Sequence, residues 1–107
     1  MKMEQMVNAI ITENINKIKT LCELHKVKEL YVFGSAVSAQ FNATSDIDLL
    51  YRFDTNNIKD YFINFFEFKE SFEKLTNRKV DLIPYENMMN NYFADSIEKS
   101  KVKLYEA

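Results

Sequence analysis

Glycine is nearly missing from this 107-residue chain: Gly34 stands alone, where average usage near 7% would supply about seven. Proline is as scarce, with only Pro84. A chain that dispenses with glycine elsewhere keeps one where the backbone must stay unobstructed. The single cysteine, Cys22, excludes an internal disulfide and a zinc site built on several thiolates. His25 has no second imidazole with which to share a metal, so it and Cys22 read as packed or capping residues. No apolar run approaches the ~20 residues of a membrane span, and residues 1–7 carry charge where a signal peptide would be apolar. An excess of positive charge is also lacking. With 14 Lys and Arg against 16 Asp and Glu, net −2, no broad basic face is expected and no direct nucleic-acid partner. These absences leave a cytoplasmic chain without a membrane, organised as one domain over residues 1–107.

What is present is a globular composition, 47% hydrophobic and 28% charged. Residues 3–25 have helical spacing, with Val7, Ile10, Ile11, Ile18, Leu21 and Cys22 on one side. Leu30 to Phe33 is a short buried strand stopping at Gly34, and Ser35 to Ala39 suits a short helix. Asp46 to Phe53 alternates as a strand, Ile47, Leu49, Tyr51 and Phe53 opposing Asp46, Asp48 and Arg52. After a turn at Asp54 to Asn57, a long helix runs to about Leu75. Its stripe is Ile58, Tyr61, Phe62, Phe65, Phe68, Phe72 and Leu75, while Ile63 and Phe66 fall on the polar side as a candidate partner face. Lys79 to Ile83 is a third strand, ended by Pro84. Tyr92 to Tyr105 reads as a closing amphipathic helix using Phe93, Ile97 and Leu104. The order α-β-α-β-α-β-α predicts an α/β domain, a small sheet covered by helices.

Three features carry chemistry. Gly34-Ser35 ends a strand where a helix begins, and a turn of that kind offers free N–H groups and a hydroxyl to phosphate. Asp46 and Asp48, one residue apart on a strand, point to the same side. Two carboxylates held together repel, and a divalent cation relieves them. Asp81 is the one charge among Val80, Leu82 and Ile83, and a strand pairing beside the second would add it to the couple. Three aspartates and a phosphate-cradling turn are the parts of a two-magnesium phosphoryl-transfer site.

The stretch from Phe33-Gly34-Ser35 to Ser45-Asp46-Ile47-Asp48-Leu49-Leu50 resembles the signature of the minimal nucleotidyltransferases (MNT), within the DNA polymerase β-like superfamily. The resemblance extends through Arg78-Lys79-Val80-Asp81-Leu82-Ile83 into the closing segment, so it covers nearly the whole chain. It implies a small mixed β-sheet flanked by helices and Mg²⁺-dependent transfer of a nucleoside monophosphate from ATP, with two ions. It implies Gly34, Ser35 and Ser45 at the nucleotide and Asp46, Asp48 and Asp81 as catalytic metal ligands, Asp81 also helping to activate the incoming hydroxyl. It further implies an antitoxin that adenylylates a tyrosine of a helical HEPN-type toxin and assembles with it. One departure is clear: many members carry Arg-Gly a few residues after Gly-Ser, and here Ser38-Ala39 stand there. Serine cannot replace a bidentate guanidinium, which leaves Lys79, Lys99, Lys101 and Lys103 as substitutes. The alternative is a binding module with a degenerate site. Transfer to RNA or a small molecule fits a short acidic chain less well.

Overall fold

Residue Asn14 divides the first helical stretch. Its side chain turns back to donate to the Ile10 carbonyl at 2.8 Å, and its backbone leaves helical geometry. Helix α1 (Ala9–Thr12) therefore stops before α2 (Ile15–Leu24) begins. The computed structural model describes residues 7–38, 41, 42, 44–88, 92 and 94–107. The expectations that fall on residues 3–6, Ala39 and Phe93 lie outside them.

His25 ends α2 as a cap, its ring nitrogen Nδ1 3.0 Å from the Leu21 carbonyl and its ring against Phe68. Lys26, with φ +57°, reverses the chain into β1 (Val27–Phe33), three residues before the expected start. A single 3-10 turn, Gly34–Val37, follows. Strand β2 (Ile47–Phe53) comes next. Asp60 caps α3 (Tyr61–Thr76) by accepting the Ile63 N–H at 3.1 Å. The helix thus starts at Tyr61, and Ile58 packs on the core from the preceding turn. Asn77 closes α3 in the left-handed conformation. Strand β3 (Val80–Pro84), α4 (Tyr85–Met88), α5 (Ala94–Ser100) and β4 (Val102–Glu106) complete the order.

The expected closing helix is therefore corrected. It ends at Ser100, and Leu104 belongs to a fourth strand. The seven-residue spacing of Ile97 and Leu104 suits a helix, yet the two side chains bury in different clusters, Ile97 with Phe33 and Leu50, Leu104 in the main core. Pairing with β1 decides the conformation, since β1 would otherwise leave one edge open. The strand order is β3-β2-β1-β4; β1 is antiparallel to both β2 and β4, and β2 is parallel to β3. The sheet is mixed and flanked by helices.

Alternation gives the sheet two unlike faces. Leu30, Val32, Ile47, Leu49, Tyr51, Val80, Leu82 and Leu104 pack with Ile18, Cys22, Phe68 and Phe72 of α2 and α3. Each fully buried phenylalanine here contributes about 3 kcal/mol. Phe62 is a second correction: it is 72% exposed, because at about 100° per residue it stands a quarter-turn off the Tyr61–Phe65–Phe68–Phe72 line. The other face carries Phe33, Leu50 and Ile97, with Tyr31, Ile83 and Tyr85 around them. Asp48 and Asp81 open onto that face.

Candidate active site

Register brings the aspartates together. Asp48 of β2 is the Cα partner of Asp81 on β3 and of Phe33 on β1. Parallel neighbours lie ~4.8 Å apart, and paired residues face the same way, so both carboxylates leave the sheet side by side, away from α2 and α3. Asp46, one residue before β2, stands near enough for its charge to act on Asp48. Asp46 and Asp81 are exposed, whereas Asp48 is half-buried.

That burial has an electrostatic consequence. The Asp48 carboxyl is pushed up to about 6, first by desolvation, then by the charges of Asp81 and Asp46. The charges of Asp81 and Asp46 thus bear on the half-buried Asp48 carboxyl.

Gly34 accounts for the chain's one glycine. Its φ is +72°, and a Cβ there would overlap Oδ2 of Asp48 and stand 3.3 Å from its Cγ. The glycine admits both the turn and the carboxylate behind it. The following helical segment is one 3-10 turn, so the dipole expected at a longer helix is small; backbone N–H groups and the Ser35 hydroxyl are what remain for phosphate. Ser38, at the position of the family arginine, closes that turn. Its backbone N–H and its hydroxyl both donate to the Ser35 carbonyl, at 3.0 and 3.1 Å. Ser45 sits at the end of the loop before Asp46, where its Oγ accepts the Asn42 N–H at 3.0 Å.

The lysines offered as replacements for the arginine are placed unequally. Lys101 binds Glu98 and lies 4.9 Å over the Tyr31 ring. Lys103 binds Glu106 at 2.5 Å on β4, and Lys101 immediately precedes that strand. Lys79 is exposed at the entry to β3, and Lys99 is exposed on α5. Arg52 points to the aspartates' face but four residues along β2, where it stacks 4.4 Å over Tyr85 and lies 3.5 Å from Glu29. It fastens α4 to the sheet and does not neutralise the acidic group. Ile63 and Phe66 are 56% and 62% exposed, and with Phe62 and Leu24 they place large apolar side chains in solvent. They lie on the helical layer, across the sheet from the aspartates. Arg78 is a residue that the motif alone does not single out. It donates to two carbonyls of the Asn42–Ser45 loop, and no local pattern announces bonds spanning more than 30 residues.

The donor set fits magnesium, a hard cation that takes carboxylate and phosphate oxygens. Among the described residues no three acidic, His or Cys side chains converge closely enough to enclose an ion unaided. An ion here would take one or two carboxylates and complete its shell with phosphate oxygens and water, as magnesium commonly does.

A small mixed sheet with paired aspartates beside a Gly-Ser turn defines a phosphoryl-transfer domain of nucleotidyltransferase type. Residues 16–107 match the family described as Polymerase beta, Nucleotidyltransferase, and the chain belongs to that family. Two Methanocaldococcus jannaschii proteins, each named "Putative protein adenylyltransferase", are related in sequence. One is 37% identical over 84 residues, covering 78% of this chain and 83% of its own. The other is 42% identical over 65 residues, covering 61% and 72%. The fold is shared with a solved chain described as "Structure of putative minimal nucleotidyltransferase", at TM-score 0.71 and 21% identity over 91% of this chain and 95% of that one. It is also shared with a chain from a tri-AMPylated Shewanella oneidensis HEPN toxin in complex with MNT antitoxin, at TM-score 0.59 and 21% identity, covering 90% and 72%. No helix among the described residues is long and apolar enough to cross a membrane.

Proposed function

We propose that residues 1–107 form one nucleotidyltransferase domain that moves AMP from ATP to a hydroxyl, a tyrosine, of a helical HEPN-type partner, and so acts as its antitoxin in the cytoplasm. The observation that carries the reading is Asp48 seated against Gly34 with Asp81 paired beside it. The relatives named as protein adenylyltransferases and the toxin–antitoxin fold neighbours support the acceptor class.

In this reading Gly34 and Ser35 receive the triphosphate, and Ser45 stands beside it. Asp46 and Asp48 would hold Mg²⁺, as two ions with Asp81 as a third ligand. When bound, the ions would neutralise charge at the α-phosphate and the leaving pyrophosphate. The acceptor oxygen forms a bond to the α-phosphorus as the bond to the β-phosphate oxygen breaks. Asp81, the more exposed partner in the register pair, takes the hydroxyl proton, and pyrophosphate departs. Asp48, half-buried with its carboxyl raised to about 6, carries a charge that bound ions would compensate. The remainder of the rate comes from positioning.

The test is labelling of a HEPN-type partner with α-phosphate-labelled ATP and Mg²⁺. The expected result is a labelled tyrosine with the native chain and none with Asp46→Asn; equal labelling by both would sink the reading.

A second reading, neutralisation by contact alone, is favoured by Ser38 at the arginine position and by the exposed group Leu24, Phe62, Ile63 and Phe66. Ile63 and Phe66 are then the partner face. An Asp46→Asn/Asp48→Asn chain that still neutralises the partner would favour it over the first.

A further inference from the structure

Asp46 is exposed and lies outside the regular strand, so something other than the ladder must set its direction. Its two neighbours in the chain are both held, and by consecutive residues. The Ile47 N–H donates to the Lys79 carbonyl at 2.9 Å. On the other side, Nη1 of Arg78 donates to the Ser45 carbonyl at 3.0 Å and to the Asn42 carbonyl at 2.8 Å. The same guanidinium lies 4.4 Å over the Phe41 ring. The loop it grips is already closed on itself, Ser45 N–H to the Asn42 carbonyl at 3.1 Å and Thr44 N–H to Asn42 Oδ1 at 2.9 Å. Arg78 thus joins Asn42 and Ser45 to the entry of β3, three residues before Asp81.

We infer that Arg78 is a positioning residue: it staples the Phe41–Ser45 loop to the start of β3 and thereby fixes the Asp46 carboxylate relative to Asp48 and Asp81 for metal binding. The inference rests on the proposed reading of the three aspartates as a magnesium site. Its chemistry is specific to arginine. Both bonds leave one nitrogen, Nη1, so what arginine adds over lysine is the planar group that holds that nitrogen in place while stacked on the Phe41 ring. Residues that orient a ligand from behind typically change metal affinity 10- to 100-fold when removed.

The experiment compares the native chain with Arg78→Ala and Arg78→Lys by three measurements. The first is Mn²⁺ affinity from water-proton relaxation, with a non-hydrolysable ATP analogue present. The second is amide exchange at Asn42, Thr44, Ser45 and Ile47, and the third is transfer kinetics. For Arg78→Ala we expect a melting temperature within a few degrees of native, faster exchange at Ser45 and Ile47, and Mn²⁺ affinity lower by about 10-fold or more. We expect kcat to fall with little change in KM for ATP, Arg78→Lys to lie between, and millimolar guanidinium to restore part of the Mn²⁺ affinity. Unchanged exchange at Ser45 and Ile47 overturns the inference, as does faster exchange with unchanged Mn²⁺ affinity. A rise in KM for ATP with native Mn²⁺ affinity overturns it too, because Arg78 would then be a phosphate contact. If the native chain binds Mn²⁺ and labels nothing, the proposed transfer fails while the Arg78 comparison still reads. If it binds no Mn²⁺ at all, both fall.

Discussion

Gly34 and Asp48 occupy one space: the hydrogen of the glycine faces the carboxylate, and a methyl group there would overlap Oδ2. The turn that would receive phosphate and the residue that would hold the metal are thus fitted to each other. Two penalties meet at this position, the positive φ of +72° and the collision.

Gly34→Ala is accordingly expected to cost about 2 kcal/mol or more, read as a fall in melting temperature of about 8 °C or more. In an Asp48→Ala background the collision is gone and only the backbone strain remains. A double-mutant cycle should therefore give a smaller loss there. Equal losses in both backgrounds would show that the two residues do not compete for space.

Asp48 predicts a pH-dependent trade of stability against function. Its carboxyl is raised from an ordinary value near 3.8 to about 6. The folded chain therefore favours the protonated form, and this contribution is complete below about pH 4 and lost as pH rises through about 6. Asp48→Asn, which cannot ionise, should melt with the native chain at pH 4 and several degrees above it at pH 7.5. It should label no partner. Mg²⁺ should raise the melting temperature of the native chain at pH 7.5, less at pH 5, and not that of Asp48→Asn. A variant that melts below native at pH 7.5 would contradict the burial argument.

Phe66 is 62% exposed on α3, so Phe66→Asp should move the melting temperature by no more than about 3 °C. If the α3 patch docks the partner, affinity should fall by about 2 kcal/mol or more, roughly 30-fold, in a titration with the purified partner. Native affinity would remove Ile63 and Phe66 from the interface.

The fourth strand can be tested by alternation. Leu104 is 8% exposed in the main core, and Leu104→Ala should cost about 2–3 kcal/mol in urea unfolding. Its neighbour Lys103, exposed and paired with Glu106, should cost under about 1 kcal/mol when changed to alanine. Similar losses at both would argue against the β4 register.

The sequence by itself determined the parts whose signal is local. Ile47, Leu49, Tyr51 and Phe53 alternate with Asp48 and Arg52, and period two is a property of one strand, so β2 and the face onto which Asp48 opens were legible. The scarcity of glycine singled out Gly34 before any contact was known, and α3 followed from its phenylalanine spacing, Phe62 excepted. Tertiary structure alone decided the pairings. Val102–Glu106 carries too few residues to distinguish an end of helix from an edge strand, and it becomes β4 because β1 offers backbone partners 70 or more positions earlier in the chain. The parallel register that sets Asp81 beside Asp48 is likewise a relation between two strands, and neither strand records it alone. The same holds for Arg78, whose carbonyl partners at Asn42 and Ser45 come within reach only when β3 lies against β2. Hydrogen bonds between distant segments leave no periodicity in a chain, and they exist only once the sheet has closed.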